Sequence, residues 1–172
     1  FDVKALKEWD PERYEPLYRA CAESFPDSVE APLCHWRMIW VAHRKRDRKA
    51  PELFREHVTR YPGSSKASAA LYFLGRFEEK AKRPGAARLY YEFIGDRFPN
   101  YYYAYLARER MRQPALSRAT PDPEAQVFLT QLPITKRQPL DFEAQSSTRL
   151  RIERSRLLTE AGLPDLAMTE LR

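Results

Sequence analysis

The sequence predicts an all-α fold built from antiparallel helix pairs that stack on one another. Only five glycines occur in 172 residues, and runs of alternating β-branched residues, which would indicate strands, are missing. Apolar residues recur at helical spacing on both sides of short breaks. Pairs of an aromatic residue followed by proline divide the chain at nearly equal intervals, which indicates repeated stops between helices.

The aromatic-proline pairs define a structural repeat. Phe25-Pro26 is followed by Tyr61-Pro62 after 36 residues and by Phe98-Pro99 after a further 37. A period of this length with two helices per unit is typical of TPR-like α-solenoids. One such unit cannot bury its own apolar face, so neighbouring units must stack. The chain is therefore predicted to form a TPR-like α-solenoid.

The segment from residue 61 to residue 99 shows the repeat most completely. Its helical spacing runs through Ala70–Gly75, breaks at Lys82–Gly85 and resumes over Ala86–Ile94. Small residues at positions 67, 69, 70 and 75 keep one face of the first helix thin. Large side chains of the second helix, such as Tyr90 and Ile94, are therefore expected to pack closely against it.

Two further helices are predicted before this unit. Asp10-Pro11-Glu12 opens the first of them. Pro16 favours a regular start nearer Arg13, because a proline beyond the first turn removes a backbone hydrogen bond. The second helix is capped by Asp27 or Ser28. Its apolar residues surround the axis from position 33 to position 42, which predicts burial on two sides.

A basic run, Arg44–Lys49, separates this second helix from the partner that Pro51 is predicted to start. The simpler interpretation of the run is a solvated turn between paired helices, and the alternative is a surface that faces an anion. Pro84 and Pro164 are predicted to start partner helices in the same way, because the first helical position needs no N–H donor.

The repeat pattern divides the chain into three parts. Residues 1–112 are predicted to form TPR-like helical repeats, and residues 142–172 a terminal, truncated helix pair of the same solenoid. Residues 113–141 contain five prolines, which exclude a long helix and indicate an irregular strap. Within the strap, Pro123–Leu132 is compatible with a short helix capped by Asp122.

Charge and composition narrow the classes of partner. The formal charge is +6, but the 30 basic and 24 acidic side chains are interspersed. A nucleic-acid surface usually shows a stripe of one sign, so no nucleic-acid partner is predicted, whereas a carboxylate-bearing polymer fits. No apolar run reaches the roughly 20 residues of a membrane span. Because the sequence starts at Phe1 with no initiator Met and no signal peptide, we expect a fragment or processed form of a longer protein.

No catalytic or metal-binding constellation is evident in the sequence. His35, His43 and His57 are too scattered for a metal or acid–base set, and no phosphate-binding loop is present. We therefore predict no catalytic residue, no cofactor and no metal in this chain. Cys21 and Cys34 flank the turn at Phe25. Two reduced core thiols are the simpler interpretation of this pair, and a disulfide between neighbouring helices is the alternative.

The string from Phe98 to Arg108, read as Phe-Pro-Asn-Tyr-Tyr-Tyr-Ala-Tyr-Leu-Ala-Arg, resembles a segment of the helical superhelix of soluble lytic transglycosylases. The stretches Ala70–Gly75 and Ala86–Tyr91 are similar to the same family, and residues 151–172 look like its last helical pair. The resemblance covers most of residues 25–112 and 143–172.

The resemblance implies a non-catalytic helical scaffold of a periplasmic enzyme that cleaves peptidoglycan glycan strands and leaves 1,6-anhydro ends. In that family the catalytic Glu lies in a Glu-Ser motif of a separate, downstream lysozyme-like domain. Glu23-Ser24 resembles that motif only superficially, because no Gly-Leu-Met-Gln follows it here. No catalytic role carries over, and the downstream catalytic domain is an expected partner of this chain.

A set of tyrosines and arginines forms the predicted contact surface for glycan or for another partner. Aromatic faces can stack on sugars, and guanidinium groups can pair with carboxylates. Packing inside the solenoid is the simpler interpretation of the same residues. The predicted contact residues are Tyr101, Tyr102, Tyr103, Tyr105, Arg108 and Arg110. The alternative function is a stand-alone TPR-like adaptor that binds a protein partner.

Overall fold

The computed structural model describes residues 11–135 and 145–171, and within these ranges the chain is all-helical, with no strand. The helices are α1 (Pro11–Ser24), α2 (Ala31–Arg44), α3 (Ala50–Arg60), α4 (Ala67–Lys80), α5 (Pro84–Arg97), α6 (Tyr102–Met111), α7 (Pro114–Ser117), α8 (Pro123–Gln131), α9 (Ser146–Glu160) and α10 (Pro164–Glu170). The all-helical class predicted from the sequence is therefore confirmed. None of these helices is both long and apolar enough to cross a membrane.

The aromatic-proline pairs end helices in the same way at three places. The backbone N–H groups of Phe25, Tyr61 and Phe98 each donate to the carbonyl oxygen four residues earlier. The residue three positions after each aromatic then donates back to the carbonyl oxygen of that aromatic. The residue six positions after each aromatic donates its N–H to the carbonyl oxygen of the residue three positions after that aromatic. The repeat seen in the sequence thus corresponds to a repeated turn of the backbone.

The turns inside the helix pairs also recur. Arg46 after α2 and Lys82 after α4 have positive φ angles of 57° and 60°. In both turns the next residue donates its N–H to the carbonyl oxygen five residues earlier. This is the hydrogen bond that closes a helix through a left-handed residue. These two positions are 36 residues apart, so the turns inside α2–α3 and α4–α5 share both their geometry and the spacing of the aromatic-proline pairs.

The centre of the core lies between α4 and α5. Tyr90, Tyr91 and Ile94 of α5 are almost completely buried. The thin face predicted at Gly75 exists, and the side chain that fills it is Tyr91: a Cβ added at Gly75 would lie 2.6 Å from the Tyr91 ring. Burial of an aromatic ring contributes strongly to stability because it removes a large apolar area from water.

Residues 113–135 of the predicted strap pack on α5. Leu116 of α7 and Leu129 of α8 are buried in the core cluster. Asp122 caps α8 as predicted, because its Oδ1 accepts the Ala125 N–H at 2.9 Å. The backbone approaches α5 so closely that a Cβ at Gly85 would lie 2.0 Å from the Thr120 carbonyl oxygen. Residues 136–141 lie outside the described part of the chain.

Most of the predicted helix starts agree with the structure, but those of α1 and α2 differ. Prolines occupy the first turns of α3, α5 and α10, at positions 51, 84 and 164. Helix α1 begins at Pro11 and includes Pro16, so the expected start nearer Arg13 is wrong. Pro16 has no N–H to donate, but the helix continues past it to Ser24. The expected cap of α2 at Asp27 or Ser28 is also wrong, because the helix begins at Ala31 after Glu30 and has no side-chain cap. Ser28 lies in the preceding turn, where its hydroxyl accepts the Ala31 N–H at 3.1 Å.

The chain divides into two compact units, Phe1–Arg137 and Gln138–Arg172. Within the second unit, α9 and α10 pack together as a helix pair. Its turn contains Gly162, which has a φ of +75°. Ser155 is buried and its hydroxyl donates to the Ala167 carbonyl oxygen at 3.0 Å. A buried hydrogen bond therefore joins the two helices.

Candidate functional site

The tyrosines predicted to contact glycan lie at the start of α6. The side chains of Tyr101, Tyr102 and Tyr105 are 47%, 67% and 54% exposed. Tyr103 is half-buried, and its ring centroid lies 5.4 Å from that of Tyr72. Three of the four rings therefore reach solvent, and the fourth packs against the ring of Tyr72 in the core.

The two predicted arginines have different environments. Arg108 is exposed and donates to the Pro99 carbonyl oxygen at 3.3 Å. Arg110 forms a two-point ion pair with Glu79 of α4, and Tyr91 donates to the same carboxylate. Burial opposes ionisation of Glu79, but these hydrogen bonds outweigh it and hold the pKa of Glu79 below its ordinary value. Arg110 therefore links α6 to α4 through an ion pair. Of the two predicted arginines, Arg108 is the one that stays available beside the exposed tyrosines.

A second surface is an open groove of about 990 Å³ between the C-terminal end of α2, the turn that follows it, and α4. We call it the aromatic groove. Its lining residues are Trp40, His43, Arg44, Arg46, Asp47, Arg48, Ala50, Pro51, Tyr72, Phe73, Arg76, Phe77, Glu79 and Lys80. The rings of Tyr72 and Phe73 in this lining also contact the ring of Tyr103 of α6.

The floor of the groove surrounds one imidazole with aromatic rings. The His43 ring lies 5.3 Å from Trp40, 4.9 Å from Phe73 and 5.6 Å from Phe77, measured between centroids. Burial, with the nearby positive charge of Lys80, lowers the pKa of His43. His43 is therefore neutral at pH 7, and its ring offers one donor and one acceptor at the floor of the groove.

The rim of the groove carries excess positive charge. Five of its lining residues are basic and two are acidic, and one of the acids, Glu79, is already paired with Arg110. Arg48 and Lys80 are exposed on the two sides of the opening. Neither forms an ion pair within the described residues. Unpaired guanidinium and ammonium groups beside apolar rings favour ligands that combine carboxylates with apolar surface.

Sequence reasoning did not identify this groove. The basic run Arg44–Lys49 was one signal, because an anion-facing surface is the alternative to a solvated turn there. The other wall comes from α4, whose Phe73 and Lys80 lie about one repeat further along the chain. A single-sequence pattern contains no information on which side chains of two successive units share an opening.

Two of the three histidines that were predicted to be too scattered for a metal or acid–base set form a buried pair. His35 of α2 and His57 of α3 are 1% and 0% exposed, and their Nδ1 atoms lie 3.2 Å apart. The His57 Nε2 lies 3.2 Å from the Ser64 hydroxyl. The His35 Nε2 lies 3.4 Å from Glu56 Oε1, within ion-pair range but without hydrogen-bond geometry. The contacts of the pair within the described residues thus join α2 to α3 and to the turn that follows α3.

Burial determines the protonation state of this pair. Burial, together with the neighbouring His35, lowers the pKa of His57 to about 3. Burial also lowers the pKa of His35, although Glu56 opposes the shift. Both imidazoles are therefore neutral at pH 7, and one Nδ1–H group donates to the other Nδ1.

Two cysteines join the first helix pair. A disulfide connects Cys21 of α1 to Cys34 of α2, with the Cα atoms 6.1 Å apart. The structure thus has the bridge that was the alternative to two reduced thiols. It closes a loop across the Phe25 turn, and the two cysteines are 13 positions apart in the sequence.

The described residues contain no group of three or more His, Cys, Asp or Glu side chains arranged to hold a metal ion. No family model matches the chain, and neither a curated protein nor a solved structure matches it. The function must therefore be argued from the surfaces described above.

Proposed function

We propose that this chain is a TPR-like helical scaffold in a periplasmic lytic transglycosylase that cleaves peptidoglycan glycan strands. The repeated turns support the solenoid part of the proposal. The turns at Phe25, Tyr61 and Phe98 share one hydrogen-bond pattern, and each helix from α1 to α6 packs on the next. Units that repeat in this way bury their apolar faces by stacking on their neighbours.

The exposed tyrosines are the observation that carries the glycan-binding part. Tyr101, Tyr102 and Tyr105 lie in the string that resembles the transglycosylase superhelix, and all three project from the surface. Exposed aromatic rings provide apolar area on which the C–H face of a sugar can stack. Arg108 lies on the same helix and supplies a cation for a glycan carboxylate.

The disulfide supports the proposed location. Disulfide bonds form and persist in oxidising compartments such as the bacterial periplasm, and they are rare in reducing ones. The Cys21–Cys34 bridge fits a periplasmic protein for this reason. Catalysis is assigned to the separate lysozyme-like domain that the resemblance implies, and this chain would hold that domain and guide the glycan.

Binding to purified peptidoglycan sacculi tests the proposal directly. We expect low-salt retention of the unmodified chain, and we expect the double variant Tyr102→Ala/Tyr105→Ala to lose at least about fivefold of it, because each exposed ring supplies about 0.5–1.5 kcal/mol. Phe25→Ala removes an equally exposed aromatic ring away from α6 and serves as the matched control. No retention of the unmodified chain, or equal loss in the control, would contradict glycan binding by α6.

The adaptor function remains the second candidate, and the aromatic groove is the observation that favours it. An apolar cleft with a charged rim between two helices is a common docking site for a protein segment.

A further inference from the structure

The aromatic groove has the features of a ligand site and is open within the described structure. Its volume of about 990 Å³ lies at the upper end of the range for ligand pockets. Residues 113–135 pack on α5 and leave the groove clear, since none of them lines it. The groove is therefore free to bind a molecule other than this segment of the chain.

The arrangement of rings in the floor favours a compact side chain over a flat sugar. The planes of Trp40 and Phe73 are inclined by 64°, and those of His43 and Phe77 by 78°. Stacking of a sugar needs an exposed flat face, whereas these inclined rings form a concave cup. A cup of edges and faces suits one branched apolar side chain, which it can contact on several sides.

The charge of the rim determines which residues of a ligand fit on either side of that apolar side chain. Arg44, Arg46 and Arg48 lie on one side of the cup, and Lys80 lies on α4. Carboxylates on both sides of the apolar group would face these cations. A second copy of this chain is a poor occupant, because each copy carries a formal charge of +6 and like charges repel.

We infer that the aromatic groove binds an acidic peptide segment through one apolar side chain, and that this binding uses side chains other than the exposed Tyr101, Tyr102 and Tyr105 of α6. The apolar side chain occupies the cup formed by Trp40, Phe73 and Phe77. Glutamates or aspartates on either side pair with the rim. The neutral His43 ring is placed to exchange a hydrogen bond with the peptide backbone, and within the described residues it has ring contacts but no hydrogen bond.

Fluorescence anisotropy with a labelled synthetic peptide tests the inference. The probe has a central leucine flanked on both sides by glutamates, and it is titrated with the full chain at low salt. We expect saturable binding that weakens as salt rises. Replacing the leucine by glycine is expected to raise Kd by about tenfold or more, because the apolar area that the leucine buries in the cup is lost. Replacing the glutamates by lysines is expected to abolish binding.

Protein variants locate the binding to the groove. Arg48→Glu/Lys80→Glu reverses charge on both sides of the opening and is expected to raise Kd by about tenfold or more. Arg112→Glu/Arg118→Glu makes the same charge change on exposed residues outside the groove and is expected to change Kd by less than about threefold. Circular dichroism and the thermal midpoint establish that each variant is folded.

Several results would overturn the inference. These are no binding of the probe, equal binding of the glycine peptide, and equal loss in the two double variants. A carboxylated oligosaccharide of matched charge that binds the groove as tightly as the peptide would also overturn it, in favour of a glycan subsite. Loss of sacculus binding in the α6 variant leaves this inference unaffected, because the two surfaces use different side chains.

Discussion

Acidification from pH 7 to pH 5 is expected to destabilise the folded chain through its buried histidines. The pKa of His57 is about 3 in the fold, against an ordinary value of 6.5. Between these two values the unfolded chain binds a proton that the folded chain does not, so stability falls as pH falls. For His57 alone the loss at pH 5 is about 2 kcal/mol, because 1.5 pH units below 6.5 cost about 1.4 kcal/mol each.

Acidification is expected to destabilise the fold through the other two histidines as well. Burial lowers the pKa of both His35 and His43, so each adds to the loss in this window. Glu56 and Glu79 have pKa values lowered from 4.5, so they stay ionised throughout this interval and contribute little to the change. The histidines are therefore the main source of the expected change.

Urea denaturation at pH 7 and at pH 5 measures the difference in the free energy of unfolding. His57→Asn keeps a donor close to the His35 Nδ1 but no longer titrates, so its loss on acidification should be about 2 kcal/mol smaller. The pH dependence of the imidazole carbon-bound proton resonances gives an independent reading of His57 in the folded protein. Equal stability at the two pH values, or titration of folded His57 near 6.5, would refute the reasoning.

Two further predictions concern the close approach at Gly85 and the Cys21–Cys34 disulfide. Gly85→Ala is expected to destabilise the fold by about 1–3 kcal/mol, since its Cβ would meet the Thr120 carbonyl oxygen. Gly95→Ala is the control, because a Cβ added there would have no atom within 4 Å. It should be neutral or stabilising by up to about 1 kcal/mol. Equal urea midpoints for the two variants would argue against the close approach of Thr120 to Gly85. The double change Cys21→Ser/Cys34→Ser should cost about 3 kcal/mol, as expected for a loop of this size. An unchanged midpoint under reducing conditions would exclude that contribution.

The helix pairs could be predicted because their signals are local. An aromatic-proline pair ends a helix within its own turn, and a proline such as Pro84 starts one without needing a distant partner. The cap at Asp122 belongs to the same class, since its side chain accepts a hydrogen bond from Ala125, three residues away. Each of these features depends on a few neighbouring residues, so a single sequence contains the information.

The sites were less predictable because they combine residues from different helices. His35 and His57 are 22 positions apart, and their spacing in the sequence indicates nothing until α2 and α3 pack together. Arg110 was predicted to face a ligand, but Glu79, 31 positions earlier, pairs with it. A side chain's partner across the core is decided by tertiary packing, which local periodicity does not encode.

The packing of residues 113–135 also explains why the two sides of the first unit differ. Phe128 of α8 lies beside Tyr90 of α5 and beneath the guanidinium of Arg55 of α3, so this segment covers the side formed by α3 and α5. The aromatic groove lies on α2 and α4, where the described residues provide no such cover. Half-buried rings such as Phe73 would gain further apolar burial from a ligand. The covered side therefore contributes stability, and the open side retains surface that a partner can bury.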